Sequence, residues 1–439
     1  MFNVGSGDHL MIEFPDSSIA IIDSFFSDAK LELQEPPAVT YLKYRLIKKI
    51  NNKDTDKIKI AFICLSHADH DHIKDINILF KLLSENAEHI ELENLWLFGG
   101  IDFDLYKEEL EKLNIEFRKH ISEDAQEEFD KCANRFNNEL TTIQGFKKAW
   151  TSSGNSESYF NDFKEFNKYN SQRPYKAYSV GPLARIINDQ QNISVSKLIS
   201  SFYERVQLFQ NKMLSDESLK MNLKFNRNSI SAILAIQISG RCLLFLGDAT
   251  SQTIEASLND ILNKRSDAME MLFNPSFVKV AHHGAKSSTT QEIWNKLFTK
   301  KCDKIMFGIS AGEHKKFRHP NSELFEHLQI CSEVKNVSHK IYRTNECASC
   351  SNKYHVDGIM DLDFWFKFHG CKLTDKRLED ALNEVAPELV KNTADANAKN
   401  LLAYVFEFTE NDAKVYKGVS NLIGRYADCV FVKKKACYC

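Results

Sequence analysis

A cluster of five potential metal ligands within six residues constrains this chain more than any other feature. The segment His67-Ala68-Asp69-His70-Asp71-His72 follows the apolar run 60–65 after one serine. Such a run predicts a buried strand, and the apolar residues that follow the cluster recur with helical spacing. Strand-end loops of layered α/β proteins commonly carry catalytic groups. Charged groups this dense compete unless a cation binds them, so we interpret the cluster as a metal site rather than a solvated loop.

The composition bounds the class of protein. A chain of 439 residues forms one large domain with an insertion, or two to three modest domains, and 43% hydrophobic residues predict a substantial core. We see no transmembrane segment and no secretory signal, and the 11 scattered cysteines suit reduced thiols, so we expect a cytoplasmic protein. A net charge of −3 argues against a surface built wholly for nucleic acid but leaves a local basic groove open.

The order of predicted elements indicates an α/β fold. Residues 10–14 and 19–23 predict a β-hairpin, and strands and helices then alternate to residue 98. Residues 104–220 are rich in Lys, Glu, Asn and Phe at helical spacing, which predicts a helical insertion. Strands and helices alternate again from about residue 230. We therefore expect one large domain over 1–350, containing the insertion 104–220, and a small C-terminal α+β extension over 351–439.

Three further polar clusters follow apolar strands, as the first does. They are Gly247-Asp248, His282-His283-Gly284 and Arg318-His319-Pro320. Each is weak evidence alone, because Gly-Asp is usually a turn and His-Pro is usually structural. Four such clusters at strand ends in one chain are hard to explain by chance.

These motifs, in this order, resemble the metallo-β-lactamase superfamily, specifically its ComEC-type branch, named for the soluble domain of a competence DNA-uptake protein. The metal loop matches the branch's His-x-Asp-x-Asp-His pattern, and Ser6 and Ala285 depart from the branch's Gln and Ser. Leu246-Gly247-Asp248 lacks the spacer of the branch's Leu-x-Gly-Asp, and Arg318-His319-Pro320 lacks the glycine of its Gly-x-His-Pro. The resemblance covers about residues 1–103 and 221–345. The other matching segments are Val4-Gly5-Ser6-Gly7-Asp8, Asn226-Arg227-Asn228-Ser229, Leu246-Gly247-Asp248, Lys279-Val280-Ala281-His282-His283-Gly284-Ala285, Arg318-His319-Pro320 and Tyr342-Arg343-Thr344.

The resemblance implies an αββα sandwich with one or two divalent ions at one edge of two facing sheets. His67 and Asp69 would belong to one subsite and Asp71 with His72 to the other. Asp248 would bridge the two ions. One of His282 and His283 would complete the second subsite, and alternation along a strand leaves open which of the two does so. Asp69 supplies a harder oxygen than histidine would, which favours Mn or Fe over Zn.

The implied chemistry is hydrolysis by a metal-bound hydroxide. Asp71 could also orient the nucleophile, and His319 could donate a proton to the leaving group unless it only packs at a helix start. Lys286 could bind a phosphate of the substrate, or simply be solvated.

The expected function is a phosphodiesterase or nuclease acting on nucleic acid or nucleotides, with family analogy suggesting a defence or toxin effector. One alternative is a hydrolase of a small-molecule phosphodiester, a lactone or a thioester. Another is a non-enzymatic sensor or assembly subunit that keeps the fold. The insertion or the C-terminal extension could bind a protein partner.

The C-terminal cysteines suggest a second metal site. Cys347 with Cys350, and Cys437 with Cys439, have chelate-compatible spacing and could together form a structural zinc site. The alternatives are a lipidation signal beside the basic residues 433–435, or a frayed basic tail.

Overall fold

The computed structural model describes most of the chain up to residue 343 and three strands beyond it. The described residues are 7–25, 37–51, 55–67, 69–98, 143, 145–146, 148–153, 155, 157–160, 162–166, 173–188, 227–238, 240–264, 272, 275–288, 290–298, 304–310, 319–343, 358–361, 401–408 and 413–419.

Helices and strands are mixed along the described residues. The helices with defined bounds are α1 (Pro37–Asn51), α2 (His70–Ile73), α3 (Ile76–Glu85), α4 (Ser251–Lys264), α5 (Gln291–Leu297) and α6 (Ser322–Lys335), with 3₁₀ turns at Arg227–Ile230, Ala281–Gly284 and Lys286–Ser288. Residues 148–152 and 184–188 are also helical. The strands are β1 (Leu10–Glu13), β2 (Ile19–Ile22), β3 (Ile58–Leu65), β4 (Ile90–Leu92), β5 (Leu95–Phe98), β6 (Glu157–Phe160), β7 (Lys164–Glu165), β8 (Tyr175–Gly181), β9 (Ile233–Ile238), β10 (Arg241–Phe245), β11 (Phe277–Lys279), β12 (Lys304–Ile309), β13 (Ser338–Arg343), β14 (Gly358–Asp361), β15 (Leu401–Phe408) and β16 (Ala413–Val419).

The strands form three sheets, which confirms the expected α/β class. The first sheet has the order β1-β2-β3-β5-β6, with β4 paired to β3, and the second has the order β13-β12-β11-β10-β9-β8-β7. Strands β2, β3, β5 and β6 run parallel, and so do β10 to β13, whereas β1 and β2 form the predicted antiparallel hairpin. The third sheet joins β14, β16 and β15.

Apolar side chains explain how the first two sheets pack. One buried cluster joins them, because it contains Phe62 and Trp96 from the first sheet and Phe245 and Phe277 from the second. A second cluster packs the other face of the first sheet against α1 and α3. A third packs the other face of the second sheet against α4, α5 and α6. Both sheets are therefore buried on both faces, as strands with long apolar runs require.

Strand β3 shows how one strand presents apolar side chains to both faces of its sheet. Its residues Ile60 and Ile63 pack against the helices, whereas Phe62 and Cys64 face the second sheet. The switch in side-chain direction occurs at Ala61, where the register with β2 shifts by one residue. Such a bulge re-aims the side chains that follow it, and here it lies in the strand that leads to the candidate metal ligands.

The helical insertion predicted for 104–220 is wrong at residues 157–160, 164–165 and 175–181. Strands β6, β7 and β8 occupy this stretch, and β8 pairs with β9 inside the second sheet. The reason is visible in β8, where Tyr175 and Ala177 face the sheet interface while Tyr178 and Val180 face the helices. This two-residue period is masked in the sequence by the Lys- and Asn-rich texture around it. Residues 104–142 and 189–220 lie outside the described residues, as do Cys347, Cys350, Cys437 and Cys439.

No helix among the described residues is both long and apolar enough to cross a bilayer. Cys64, Cys242 and Cys331 are buried free thiols.

Candidate metal centre

The carboxyl ends of parallel strands from both sheets meet at one edge and bring the candidate residues together. Asp23 follows β2, His67 follows β3, Asp248 follows β10 and His283 lies shortly after β11. Open α/β sheets place their functional groups at such ends. The antiparallel β1 adds Asp8, because its amino end lies beside the carboxyl end of β2.

His72 has its ring orientation fixed by a buried carboxylate. Its Nδ1 lies 2.7 Å from Asp23 Oδ2, and both residues are almost completely buried. A carboxylate accepts hydrogen bonds, so the neutral imidazole carries its proton on Nδ1 and presents the lone pair of Nε2. That Nε2 lies 3.4 Å from Asp248 Oδ1. A carboxylate behind a histidine in this way is the usual support of a metal-bound imidazole.

Asp23 also orients His67 through Ser66. The Ser66 hydroxyl donates to Asp23 Oδ2 over 2.7 Å, and the Ser66 amide donates to Oδ1 over 2.7 Å. The hydroxyl oxygen is then the acceptor for His67 Nδ1 at 3.0 Å. His67 therefore presents Nε2 as well, and the two imidazoles lie with ring centroids 4.1 Å apart. One carboxylate sets the tautomer of two neighbouring histidines.

His283 completes the group from the opposite sheet. Its Nδ1 donates to the Ser310 carbonyl over 2.6 Å, and its Nε2 lies 3.5 Å from Asp71 Oδ2 and 3.8 Å from Asp248 Oδ2. His282 also reaches Asp248, with Nε2 3.8 Å from Oδ2, although 29% of its side chain is exposed.

The backbone explains why the adjacent residues His282 and His283 both point towards Asp248. His282 has φ 45° and His283 has φ 53°, both left-handed, so the strand-like alternation expected for this pair does not apply. Consecutive left-handed residues other than glycine are uncommon.

Asp248 lies at the centre and is held by its own backbone. Its amide donates to Ser231 Oγ over 2.9 Å, directly after Gly247 in the left-handed region at φ 51°. A Cβ at position 247 would collide with Ser231 Oγ and approach the Ala232 carbonyl to 2.9 Å. Glycine is therefore required at 247 for the turn that aims Asp248 at the histidines.

The charges of the site reinforce one another. Burial raises the pKa of Asp248, but the imidazoles of His72 and His283 outweigh it and hold the pKa well below its usual value. Burial lowers the pKa of His72, but the Asp248 and Asp23 carboxylates raise it well above its usual value. The pKa of His283 is raised in the same way, with Asp248 the main cause against burial. The cluster thus attracts positive charge strongly, whether protons or metal ions.

The donor set fits a divalent metal. Nε2 of His67, His72 and His283 and Oδ1 of Asp248 are buried and have no hydrogen-bond partner among the described residues. Buried polar atoms left without partners are rare unless something else binds them. His67, His72 and Asp248 offer ligand atoms within 4.8 Å of one another, and so do Asp71, His72 and His283. Imidazole with carboxylate suits Zn, Mn or Fe.

The remaining predicted residues lie at different distances from this centre. Asp69 Oδ2 is 3.7 Å from His67 Nε2, at the rim. His319 lies beside His282 and His283, with its ring centroid 5.6 Å from that of His282. Lys286 is 68% exposed and its ammonium donates to Glu323 Oε1 over 2.6 Å, so its contact with a substrate phosphate stays a prediction.

Sequence reasoning assigned no role to three residues that support the site. Asp23 ends a predicted strand, and Asp8 and Lys279 are parts of the matching motifs. Asp23 contacts His72 and Asp8 contacts Lys279, but the two residues of each pair lie far apart along the chain. Only the assembled fold therefore shows these contacts. A buried-strand pattern that ends in an acidic residue, as at Ile22-Asp23, is the signal that could have identified the first.

Comparison with known proteins gives one partial likeness. No family model matches the chain. A stretch of 129 residues, 29% of this chain, is 25% identical to ComE operon protein 3 of Bacillus subtilis (strain 168) and covers 14% of that protein's length. The likeness is compatible with the ComEC-type resemblance of the motifs.

Proposed function

We propose that this chain is a metal-dependent hydrolase of the metallo-β-lactamase fold that cleaves phosphodiester bonds in nucleic acid or nucleotides. The observation that carries the proposal is a group of three buried imidazoles, His67, His72 and His283, whose Nε2 atoms have no hydrogen bonds among the described residues. The Nε2 atoms of His72 and His283 lie 3.4 Å and 3.8 Å from oxygens of the Asp248 carboxylate. The Nδ1 atoms of all three imidazoles are engaged by oxygen atoms behind the rings. Such support behind the rings leaves each Nε2 facing the site, where it can bind a metal ion.

The layer order supports the fold assignment. Helices, sheet, sheet and helices follow one another through three apolar clusters, as in the αββα sandwich that the motifs imply. The candidate ligands come from the strand ends of both sheets at one edge. The partial likeness to ComE operon protein 3 adds to this support.

The geometry suggests how two ions would share the ligands. His67 and Asp69 would hold one cation, and Asp71, His72 and His283 the other, with Asp248 between them. When bound, divalent ions would activate water near neutral pH and neutralise the charge that builds on a phosphoryl oxygen. Asp71, with 36% of its side chain exposed, lies where it can orient that water. The carboxylate-rich donor set favours phosphoryl chemistry with Mn, Zn or Fe.

His282 and His319 would act on the substrate side. They lie next to each other, and Asn228 Nδ2 stands 3.3 Å from His282 Nδ1. Both rings border the ligand group without belonging to the clusters of ligand atoms found among the described residues. They are suited to hold the leaving group and to supply its proton.

The test combines metal analysis with hydrolysis. Purified wild-type protein and Asp248→Asn are assayed for bound metal, and then for cleavage of bis-p-nitrophenyl phosphate, single-stranded DNA and duplex DNA with added Mn or Zn. We expect metal-dependent cleavage that falls at least about 100-fold in Asp248→Asn, because losing a central metal-site group removes charge stabilisation in the transition state.

A matched control separates this loss from general damage. Asp16→Asn makes the same chemical change in the β1–β2 turn, where the carboxylate accepts from Ser18 and Arg173, and it should keep metal and activity. Bound metal without phosphodiester cleavage would instead favour a lactone, a thioester or a small-molecule phosphodiester as substrate. Metal without any hydrolysis would favour the sensor or assembly role.

A further inference from the structure

Lys279 is a buried cation that the proposed chemistry does not use. It is 1% exposed and lies two residues after Phe277 on β11, so its side chain enters the apolar space between the two sheets. There its ammonium donates to Asp8 Oδ2, which is 1% exposed. Burying both members of an ion pair costs several kcal/mol of desolvation per ion, roughly, and an apolar pair would often be as stable. The pair therefore calls for a reason beyond stability.

The pair lies directly behind the imidazoles. Asp8 Oδ2 is 4.0 Å from His72 Nδ1, and Asp8 Oδ1 is 3.8 Å from His283 Nδ1. Asp8 is thus on the Nδ1 side of both rings, opposite the Nε2 atoms that face Asp248. Its backbone is fixed as well, since the Asp8 amide donates to the Asp71 carbonyl over 3.0 Å.

This position would be a cation site without the lysine. Asp8, Asp23 and His72 are all buried and offer ligand atoms within 4.8 Å of one another. Two carboxylates this close repel unless a positive charge lies between or beside them. Asp8, Asp23 and Asp248 all raise the pKa of Lys279 against the effect of burial, which keeps the ammonium charged.

We propose that the Lys279 ammonium takes the place of a metal ion at the group formed by Asp8, Asp23 and His72. It thereby confines metal ions to the Nε2 side of the histidines. Lys279 and Asp8 are positioning residues, acting through His72 and His283. With Asp8 neutralised, Asp23 remains free to accept from His72 Nδ1 and does not capture a further ion. The inference rests on the proposed metal centre and specifies its electrostatic design.

Removing either charge has opposite consequences. Lys279→Met leaves a buried, uncompensated carboxylate that attracts an additional cation or strengthens the binding of the existing ones. Asp8→Asn leaves an uncompensated ammonium that repels cations from the His72 and His283 subsite. The double variant removes both charges and therefore approximates the electrostatic potential of the wild-type site. A pair that served only packing would give losses of the same sign in both single variants.

The experiment measures metal binding in four full-length proteins: wild type, Asp8→Asn, Lys279→Met and the double variant. Each is stripped with a chelator and titrated with Mn by calorimetry, and bound metal is counted after dialysis. We expect affinity to fall about 10- to 100-fold in Asp8→Asn, the range for supporting residues of metal sites. Lys279→Met should bind at least as tightly as wild type or take up an extra ion, and the double variant should lie between the single ones.

Thermal unfolding with and without Mn gives a second readout where a single variant is unstable. Ligand binding raises the melting temperature by mass action, so Lys279→Met should gain more from Mn than wild type and Asp8→Asn less. Equal losses of metal affinity in both single variants would overturn this inference but not the proposed metal centre. So would a double variant that binds metal no more tightly than the weaker single variant. Absence of metal binding in wild type would overturn the metal centre itself.

Discussion

Asp23→Asn is the perturbation that most directly examines how the site is organised. Asparagine matches aspartate in volume and tolerates the left-handed backbone that Asp23 adopts at φ 58°, so the chain path is preserved. The change replaces one carboxylate oxygen by an NH₂ group. Its remaining oxygen must still face the Ser66 amide, which lies 2.7 Å from Oδ1, because that amide is a fixed donor.

The NH₂ group then points at His72. It takes the place of Oδ2, which accepts from His72 Nδ1 and from the Ser66 hydroxyl, each over 2.7 Å. The hydroxyl can rotate and accept, but the imidazole can accept only by moving its proton to Nε2. The lone pair of Nε2 is then lost to the metal.

The magnitude follows from these contacts. A bond to a charged group contributes about 1.5–3 kcal/mol, so losing the His72 bond should cost about that much stability in the metal-free protein. Metal affinity should fall about 10- to 100-fold, the range for supporting carboxylates, which equals about 1.4–2.8 kcal/mol.

Two measurements check the argument. Competition with a chelator gives the metal affinity, and nitrogen NMR of labelled histidine gives the tautomer of His72 in the metal-free protein at a pH above the raised pKa of its ring. Asp16→Asn serves as the control outside the site. A folded Asp23→Asn that binds metal as wild type does, or whose His72 keeps its proton on Nδ1, would refute the reasoning.

Three further predictions concern the turn, the two neighbouring histidines and pH. Gly247→Ala should lower the free energy of unfolding, measured by urea denaturation, by about 1–3 kcal/mol more than Gly240→Ala does. Both glycines have positive φ, but only a Cβ at position 247 would collide with its neighbours. His283→Ala should weaken metal binding at least about tenfold and His282→Ala less, measured by calorimetry, because only the former ring is locked by a carbonyl behind it; the reverse order would contradict the ligand assignment. In the metal-free protein the pKa of His72 is raised, so its stabilising effect is complete below about pH 6.5 and is lost as pH rises through the folded value. Metal requires the neutral ring, so the rise in melting temperature on adding Mn should grow between pH 6 and 8, and a constant rise would count against His72 as a ligand.

Part of this arrangement could be predicted from sequence because it is local. The apolar run before His67 and the one before Asp248 are strands, β3 and β10, and each delivers its acidic or imidazole group at its carboxyl end. The α/β class and the N-terminal hairpin follow from the same periodicities and are confirmed.

The rest depends on contacts between distant residues. Asp23 and His72, or Asp8 and Lys279, meet only when two sheets close on one another, and no periodicity encodes that meeting. The left-handed turn at His282 overrides strand alternation, so the pair could not be resolved from pattern alone.

The central claim is that the buried imidazole and carboxylate cluster binds divalent metal ions. The most direct measurement is the metal content of protein purified without added metal and of the same protein after Mn or Zn loading and dialysis, by plasma mass spectrometry. The account predicts one or two ions per chain in the wild type, reduced in His72→Ala and unchanged in Asp16→Asn. Metal at the level of a blank protein, before and after loading, would contradict it.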